Sequence, residues 1–304
     1  MDFNTFSQKE LPRLEEFLVE ELQKNMTNEE RLEEAMRYSI EAGGKRLRPL
    51  LLLLVLESFS APVEKGKHIA AALEFIHTYS LIHDDLPAMD DDELRRGKPT
   101  NHIVYGEATA ILAGDALLTK AFELATLGPA SAEEKITLVR ELAKAAGHTG
   151  MVGGQQTDLD GESRALTLEE LQSVHARKTG ALLEFAVFAG GFLSGVDEHA
   201  LALLDTVAKR IGVAYQIRDD LLDVIGDAEE LGKNIGMDVK QNKSTYPSLL
   251  TLAGAQEALQ QELDTAYRTV NELDEYCNKI GQPYDKQLLQ TFIDQLKLEG
   301  RVSK

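Results

Sequence analysis

Apolar residues recur at intervals of three and four along most of the chain, which is the spacing of amphipathic helices. The first such stretch covers residues 11–32 and includes Leu14, Phe17, Leu18 and Leu22. No stretch alternates strictly between apolar and polar residues over the length of a strand. The pattern therefore predicts an all-α fold, with further helices over residues 50–59, 68–83, 108–127, 132–148, 168–192, 198–224, 246–280 and 285–298.

Glycine and proline separate the helical stretches, as at Gly128-Pro129, Gly153-Gly154 and Gly281-Gln282-Pro283. Residues 50–59 are apolar on every side, so this helix is predicted to be buried. The chain contains neither a low-complexity linker nor a fixed-period repeat. We therefore expect residues 1–304 to form a single all-helical domain, a bundle larger than four helices arranged around a central cavity.

The charge balance limits the class of partner. The chain has 304 residues, with 32 Lys plus Arg against 51 Asp plus Glu, a net charge of −19. Binding to a nucleic-acid backbone requires a basic surface, so a nucleic-acid partner is disfavoured. An acidic protein that handles an anionic substrate must instead gather its positive charge locally or recruit a metal ion.

The chain shows no sequence signal for a membrane or a secretory route. The longest aliphatic run, residues 50–56, is too short to span a bilayer, which takes ~20 residues. Residues 1–10 lack a basic leader with an apolar core. Cys277 is the single cysteine, so no internal disulfide forms, as is typical of a reducing compartment. We expect a cytoplasmic protein.

Two acidic clusters stand out as candidate functional sites. Asp84, Asp85 and Asp90 follow a predicted helix, at the end where the helix dipole disfavours carboxylates. A second cluster, Asp219-Asp220-Leu221-Leu222-Asp223, lies far downstream inside another helical pattern. Both clusters place carboxylates where local helix preferences disfavour them, and such repeated departures indicate a functional site. Grouped carboxylates suit Mg²⁺, which commonly uses one or two of them together with substrate phosphates.

The spacing of these acids predicts their geometry. Asp219 and Asp223 are four residues apart and lie on one helical face, which Gln216 shares. Asp84 and Asp90 would lie about 120° apart on an ideal helix, at ~100° per residue. Pro87 interrupts the hydrogen-bond ladder between them, so we expect a bulge that returns both carboxylates to one metal.

Cationic residues near the acids are candidate anion ligands. Lys45, Arg46 and Arg48 precede Pro49, predicted to be the first residue of a helix, where free N–H groups also bind anions. A solvated turn is the alternative interpretation. The remaining candidates are Arg95 and Arg96, which could simply balance the adjacent acids, His77, the helical Lys178 and Thr179, and the loop residues Lys233 and Lys243.

The motifs together resemble those of the trans-isoprenyl diphosphate synthases. They are Gly43-Gly44-Lys45-Arg46-Leu47-Arg48-Pro49, Ser80-Leu81-Ile82-His83-Asp84-Asp85-Leu86-Pro87-Ala88-Met89-Asp90, Leu94-Arg95-Arg96-Gly97 and Asp219-Asp220-Leu221-Leu222-Asp223, and their order and spacing match over nearly the whole chain. The four residues between Asp85 and Asp90 are similar to the bacterial farnesyl diphosphate synthases and to plant-type geranylgeranyl synthases.

The resemblance implies a helical isoprenoid-synthase fold, a homodimer and a Mg²⁺-dependent prenyltransferase activity. The implied reaction condenses isopentenyl diphosphate head-to-tail with dimethylallyl or geranyl diphosphate to give (2E,6E)-farnesyl diphosphate. A C20 geranylgeranyl product is the alternative. Sequences with a bulky aromatic residue five positions before the first acid resemble farnesyl synthases. The resemblance therefore implies that Tyr79, with Ser80, forms the floor of the hydrocarbon pocket.

The resemblance also assigns roles to individual residues. The implied metal ligands are Asp84, Asp90 and Asp219, supported by Asp85, Asp220 and Asp223. The implied ligands of the allylic diphosphate are Arg95, Lys178, Lys233 and Lys243. Isopentenyl diphosphate would be held without metal by Lys45, Arg48, His77 and Arg96. Lys178, Thr179 and Gln216 are the expected catalytic residues, the last two presenting oxygens to the allylic cation.

Three other classes of protein remain possible from sequence. A class I terpene cyclase would normally replace the second acidic motif with an Asn/Ser/Glu pattern, whereas residues 219–223 keep three aspartates. A non-catalytic subunit of a heteromeric synthase would usually have lost acidic motifs. A non-enzymatic, acidic, cation-binding helical protein would not need the cations Lys45, Arg48, Arg95 and Arg96.

Overall fold

The computed structural model describes residues 1–24, 28–161, 164–226 and 244–298. Within these ranges the regular structure is helical apart from one hairpin of two short strands, which confirms the predicted all-α class. The helices are α1 (Phe3–Gln23), α2 (Glu30–Glu41), α3 (Leu47–Ser58), α4 (Lys67–Asp84), α5 (Asn101–Tyr105), α6 (Glu107–Ala125), α7 (Ala132–Ala146), α8 (Met151–Gly161), α9 (Leu168–His175), α10 (Ala181–Leu193), α11 (Glu198–Ile225), α12 (Tyr246–Ile280) and α13 (Lys286–Asp294).

Three short elements complete the described structure. A 3₁₀ turn, Val63–Lys65, leads into α4. Strands β1 (Leu94–Arg95) and β2 (Lys98–Pro99) pair antiparallel, with Leu94 opposite Pro99. A π-helical turn, Ala176–Gly180, connects α9 to α10. This turn lies within residues 168–192, which the apolar pattern predicted as one helix.

The N-terminal prediction of one helix over residues 11–32 is wrong. Helix α1 begins at Phe3, because the Asp2 carboxylate caps it by accepting a hydrogen bond from the Thr5 N–H at 2.7 Å. Pro12 lies inside the helix, where the burial of its apolar face outweighs one missing backbone hydrogen bond. Helix α2, which the apolar pattern did not reveal, is mostly polar and buries only Ala35 and Ile40.

Helix α3 forms the centre of the core. Residues 49–56 are all buried, as the apolar pattern predicted. Pro49 is the third residue of the helix rather than the first, because the helix already begins at Leu47. A proline there costs no intrahelical bond, since the first four N–H groups of a helix have no intrahelical partner. One connected apolar core runs from Phe3 to Leu296.

Helix α8 lies where Gly153-Gly154 predicted a break, so that prediction is also wrong. Both glycines are inside the helix. A Cβ atom on Gly154 would lie 2.2 Å from the Lys178 backbone nitrogen. Glycine is therefore needed at position 154 so that α8 can pack against the π-helical turn. Because this contact joins segments distant in sequence, the local tendency of glycine to break helices did not predict it.

The long helices α4 and α11 each end at an acidic cluster. Helix α4 packs against α3 and α6, and α11 packs against α10 and α12. Helix α10 joins the two halves because it contacts both α3 and α11. The π-helical turn contacts α8 and α11, so it lies between the elements that carry the candidate site. Among the described helices, none combines the length and the apolar character that crossing a membrane requires.

Candidate functional site

The first acidic cluster lies where α4 stops. The helix ends at Asp84, and the chain beyond Pro87 folds back so that the Asp90 N–H donates to the Asp84 carbonyl at 2.8 Å. The expected bulge within a continuing helix is therefore wrong. Pro87 has no N–H to donate, so termination followed by a tight turn replaces a bulge. The turn nevertheless returns the backbone of Asp90 to Asp84.

Asp84 lies in a desolvated and crowded position. Burial raises the pKa of its carboxyl group to about 6, with the charge of Lys178 opposing this and the charge of Asp90 adding to it. The charged carboxylate is therefore held at a free-energy cost in the absence of a further cation. A divalent cation beside Asp84 and Asp90 would offset that cost, which is an observation that favours a metal site here.

Asp85 faces a different partner from its neighbour. Its side chain is buried, and its Oδ1 accepts a hydrogen bond from Arg95 Nε at 2.6 Å and forms an ion pair with Arg95 Nη2 at 2.5 Å. Arg95 also lies 3.5 Å from Asp92. Arg95 is thus paired with the acids around it. The pair fixes the hairpin that carries Arg95 and Arg96 against the end of α4.

The carboxylates of the second cluster also differ from one another in their hydrogen-bond partners. The Asp220 Oδ2 accepts from the Tyr246 backbone N–H at 2.8 Å, so Asp220 anchors the first residue of α12. Asp223 is 1% exposed, and neither of its carboxylate oxygens has a hydrogen-bond partner among the described residues. A buried carboxylate without donors is costly unless a cation is present. Asp219 and Gln216 are both half-buried.

The π-helical turn connects the two clusters electrostatically. Lys178 donates from Nζ to the Asp158 carboxylate at 2.7 Å, and the charges of Asp84 and Asp90 act on its ammonium group. His175, three residues earlier, feels Asp158, Lys178 and Asp219, and burial lowers its pKa to about 4. One short segment therefore lies near the acids that follow α4 and near the acids of α11.

Packing fixes this segment from two sides. Arg177 donates to the Gly153 carbonyl at 3.3 Å and to the Thr157 hydroxyl at 3.0 Å, both on α8. On the other side, a Cβ atom on Gly212 of α11 would lie 3.2 Å from the Gly180 Cα. Thr179 is buried in this contact. Single π-helical turns inside helices are frequent at functional sites.

Two residues of this site were missed by the sequence analysis. Asp158 lies on α8, which was read as a break, so its carboxylate was never placed near Lys178. His175 is three residues before Lys178 and stacks on Tyr246, with ring centroids 5.9 Å apart. The i, i+3 spacing of His175 and Lys178 is a signal that could have revealed the histidine.

A basic cluster lies beside the acidic one. Arg48 Nη1 lies 3.2 Å from His77 Nε2, and Arg96 donates to the Gly43 carbonyl. The Arg96 guanidinium lies so close to Gly44 that a Cβ atom on residue 44 would be 2.5 Å from Arg96 Cζ. Burial and the nearby arginines hold the pKa of His77 well below its usual value, so this imidazole is neutral. Lys45 is exposed next to this cluster.

Arg46 does not point to this cluster as a free cation. Its guanidinium is buried and donates to Glu74 at 2.7 Å and to the Ile40 carbonyl. The sequence grouped Arg46 with Lys45 and Arg48 as an anion site, so the structure corrects this grouping. The reason is that residue 46 has the left-handed conformation (φ 46°) and precedes α3, so its side chain leaves in a different direction.

The remaining candidates have the following positions. Tyr79 is 6% exposed, and its ring meets that of His83 edge-on at 5.7 Å between centroids. Burial, followed by the charge of Asp84, raises the pKa of Tyr79 to about 12. Ser80 is half-buried and donates to the His77 carbonyl at 2.8 Å. Lys233 and Lys243 lie outside the described residues.

The donor set fits a metal ion that is shared with a ligand. In the part of the chain that the structure describes, no group of three or more His, Cys, Asp or Glu side chains could hold an ion by itself. The available donors are carboxylate oxygens from two walls, the chemistry that Mg²⁺ prefers when substrate phosphates complete its shell. The desolvated Asp84 and the unpartnered oxygens of Asp223 fit that arrangement.

Known proteins share this sequence and fold. The model of the family described as polyprenyl synthetase matches residues 29–281. Farnesyl diphosphate synthase of Bacillus subtilis (strain 168) is 53% identical over 245 residues, which cover 80% of this chain and 83% of that protein. Geranylgeranyl diphosphate synthase of Cyanophora paradoxa is 48% identical over 231 residues, covering 75% and 76%.

A solved structure extends the similarity to the whole fold. The geranyltransferase of Helicobacter pylori, complexed with magnesium and isoprenyl diphosphate, matches with a TM-score of 0.80 and 34% identity, covering 96% of this chain and 95% of that one. The sequence match thus extends over most of the chain, and the acids at the ends of α4 and α11 lie in a shared fold. On these grounds the chain belongs to the polyprenyl synthetase family.

Proposed function

We propose that this protein is a prenyltransferase that condenses isopentenyl diphosphate with dimethylallyl or geranyl diphosphate to give (2E,6E)-farnesyl diphosphate. The observation that carries the proposal is that α4 presents two unlike sites. His77, beside Arg48, marks a basic site without carboxylate ligands, and Asp84 marks an acidic site ~10.5 Å further along, at 1.5 Å per residue. Two diphosphates, one bound through metal and one without it, match these two sites.

The acidic site would bind the allylic diphosphate. We propose Asp84, Asp90 and Asp219 as the ligands of Mg²⁺, which when bound stabilises negative charge on the leaving diphosphate. Asp85, Asp220 and Asp223 support them, and two of these have visible partners, Arg95 and the start of α12. The Lys178 ammonium and the Arg95 guanidinium bind diphosphate oxygens, with Lys233 and Lys243 as further proposed ligands.

The basic site would bind isopentenyl diphosphate. Lys45, Arg48 and Arg96 supply charge, and the neutral His77 supplies a ring N–H. The bond between the allylic carbon and its diphosphate breaks, a carbon–carbon bond to isopentenyl diphosphate forms, and the released diphosphate takes the proton lost from the new chain. Thr179 and Gln216 direct their oxygens towards the allylic cation. The buried lining excludes water, which would otherwise capture that cation.

The oligomeric state, domain organisation and location belong to the same proposal. We propose a homodimer formed through α5 and α6, because exposed apolar side chains cluster there: Ile103 (52% exposed), Val104 (43%), Ile111 (43%) and Leu112 (56%). A second copy of the chain would cover them. Residues 1–304 would act as one catalytic domain, supported by the connected core. A cytoplasmic location is supported by the single, buried Cys277.

A specific observation keeps a C20 product as the second candidate. The Cyanophora paradoxa relative that is 48% identical is a geranylgeranyl diphosphate synthase. The buried ring of Tyr79, five residues before Asp84, favours the C15 product because it occupies volume that a longer chain would need. Tyr79 and Ser80 are therefore the proposed floor of the hydrocarbon pocket.

The function is tested by incubating the protein with labelled isopentenyl diphosphate, Mg²⁺ and either allylic primer, and separating the products by chain length. We expect a C15 product that disappears when a chelator removes the metal.

Asp84→Ala and Asp219→Ala should each lower turnover by at least about 100-fold, because each removes a ligand of the cation that stabilises the leaving group. Asp205→Ala is the matched control, an exposed carboxylate on the same helix α11 as Asp219. Normal turnover without divalent metal contradicts the mechanism.

The division into two diphosphate sites predicts selective effects of cation removal. Arg48→Ala should weaken binding of isopentenyl diphosphate roughly 10-fold or more, as expected for loss of a charge-assisted contact. Binding of an unreactive allylic diphosphate analogue with Mg²⁺ should change little, and Lys45→Ala should behave in the same direction. Calorimetry with each ligand separately measures both. Arg140→Ala, an exposed arginine on α7, is the control. Equal weakening of both ligands by Arg48→Ala would show that the assignment is wrong.

The proposed pocket floor predicts a change of product length. Tyr79→Ala removes a buried ring and should shift the product from C15 towards C20 or longer. The variant should lose about 3–5 kcal/mol of stability, the usual range for an aromatic residue replaced by Ala in a core. Tyr79→Phe keeps the ring and should retain the C15 product. Product chromatography and denaturant unfolding measure the two effects, and a folded Tyr79→Ala protein that still makes only C15 product refutes the role of Tyr79.

A further inference from the structure

A buried ion pair lies directly beneath the basic site and has no role in the chemistry proposed above. Glu74 and Arg46 have side chains that are 1% and 2% exposed, and Arg46 Nη1 donates to Glu74 Oε1 at 2.7 Å. The second oxygen of Glu74, Oε2, is buried and has no hydrogen-bond partner among the described residues. Glu74 is therefore a buried carboxyl group with only part of its hydrogen-bonding capacity used.

The pair connects α4, the start of α3 and the last turn of α2 next to the basic site. Glu74 lies on α4, three residues before His77 and therefore on the same helical face. Arg46 precedes α3 and accepts on its carbonyl from the Leu50 N–H at 3.0 Å. Its guanidinium also donates to the Ile40 carbonyl, in the last turn of α2. Breaking the pair would thus affect the positions of Arg48 and Lys45, which flank Arg46.

The charges around Glu74 are predominantly positive. Burial lowers the pKa of Arg48, and the charge of Glu74 opposes this effect. Partial desolvation and the charge of Arg46 lower the pKa of Arg96, again opposed by Glu74. The pKa of His77 is held down by burial and by four guanidinium groups, those of Arg48, Arg96, Arg46 and Arg95. Another carboxylate that reaches Arg46, Glu15 at 3.8 Å from Nε, is 44% exposed and so contributes less.

We propose that Glu74 is a positioning residue that acts as the built-in counter-charge of the basic site, holding its arginines together while no diphosphate is bound. The inference rests on the proposed function, because it takes this cluster to be the site of isopentenyl diphosphate. Glu74 pairs with Arg46, and its charge also acts on Arg48 and Arg96, the cations that the diphosphate would neutralise, so Glu74 stabilises the empty protein and opposes the bound anion. Glu74 thereby sets how tightly the second substrate binds.

The decisive variant is Glu74→Gln, which keeps the size of the side chain and an oxygen acceptor for Arg46 but removes the charge. The empty variant should have a lower Tm than the original protein, because a buried arginine loses its charged partner. Inorganic pyrophosphate, added without metal, should then raise the Tm more than it does in the original protein. The dissociation constant should fall roughly tenfold, the effect of one unit charge at short range in a partly buried site.

Glu21→Gln is the matched control. Glu21 is also fully buried, also has an unpartnered Oε2 and also pairs with a basic side chain, Lys24, but it lies on α1 beside His68. This control should likewise melt at a lower temperature, yet its response to pyrophosphate should equal that of the original protein. Glu74→Asp keeps the charge and should respond to pyrophosphate as the original protein does. The two variants thus separate a general loss of stability from the effect of the Glu74 charge on pyrophosphate binding.

A rise in Tm with pyrophosphate that is equal or smaller in Glu74→Gln than in the original protein overturns the inference. If Glu74→Gln does not fold, Arg46→Met provides the opposite test: it leaves Glu74 uncompensated and should weaken pyrophosphate binding, and unchanged or tighter binding contradicts the inference. Isopentenyl diphosphate is measured in parallel. A response to pyrophosphate without any response to isopentenyl diphosphate in the original protein rejects the proposed function and leaves the role of Glu74 testable.

Discussion

The site depends on holding like charges close together away from water, and Lys178 is the group that allows this. Its ammonium group pairs with Asp158 at 2.7 Å and attracts Asp84 and Asp90. Burial alone would favour the uncharged form of Asp84, and the nearby Lys178 keeps its pKa from rising further. Lys178 lies in the π-helical turn. Packing of Gly154 and Arg177 on α8 keeps that turn in place.

Helix α4 sets the order and spacing of several side chains of the proposed site. Along one helix it carries Glu74, the neutral His77 of the basic site, the aromatic ring of Tyr79 and Asp84, the proposed metal ligand. A rigid helix fixes the distances between these groups, so two diphosphates and a hydrocarbon chain would have defined relative positions. The neutral state of His77 follows from its burial and from the arginines around it, which together hold its pKa well below the usual value, and it lowers repulsion within the cluster.

The sequence predicts the helices that have a strong apolar face and the residues that break local rules. Helix α12 has the predicted bounds, because Ala255, Leu259 and Leu263 bury one helical face, but the pattern did not predict the kink at Thr251, where the backbone is non-helical (φ 69°). The mostly polar α2 and the glycine-containing α8 escaped prediction, since their reasons for being helical lie in tertiary packing. The partners Asp158 of Lys178 and Glu74 of Arg46 are 20 and 28 residues away in the chain, so no local spacing reveals them. The residues of the acidic motifs were identifiable, and the resemblance already gave Asp84 and Asp85 different roles, whereas the pairing of Asp85 with Arg95 required the structure.

The central claim is that the acids after α4 and those of α11 act on one shared metal–diphosphate assembly. A double-mutant cycle tests it most directly, with the Mg²⁺-dependent dissociation constant of an unreactive allylic diphosphate analogue measured for the original protein, Asp84→Ala, Asp219→Ala and the double variant. A shared assembly predicts strong non-additivity, so that the double variant binds little more weakly than either single variant. Losses that multiply in the double variant would mean that the two clusters bind independently, and would contradict the account.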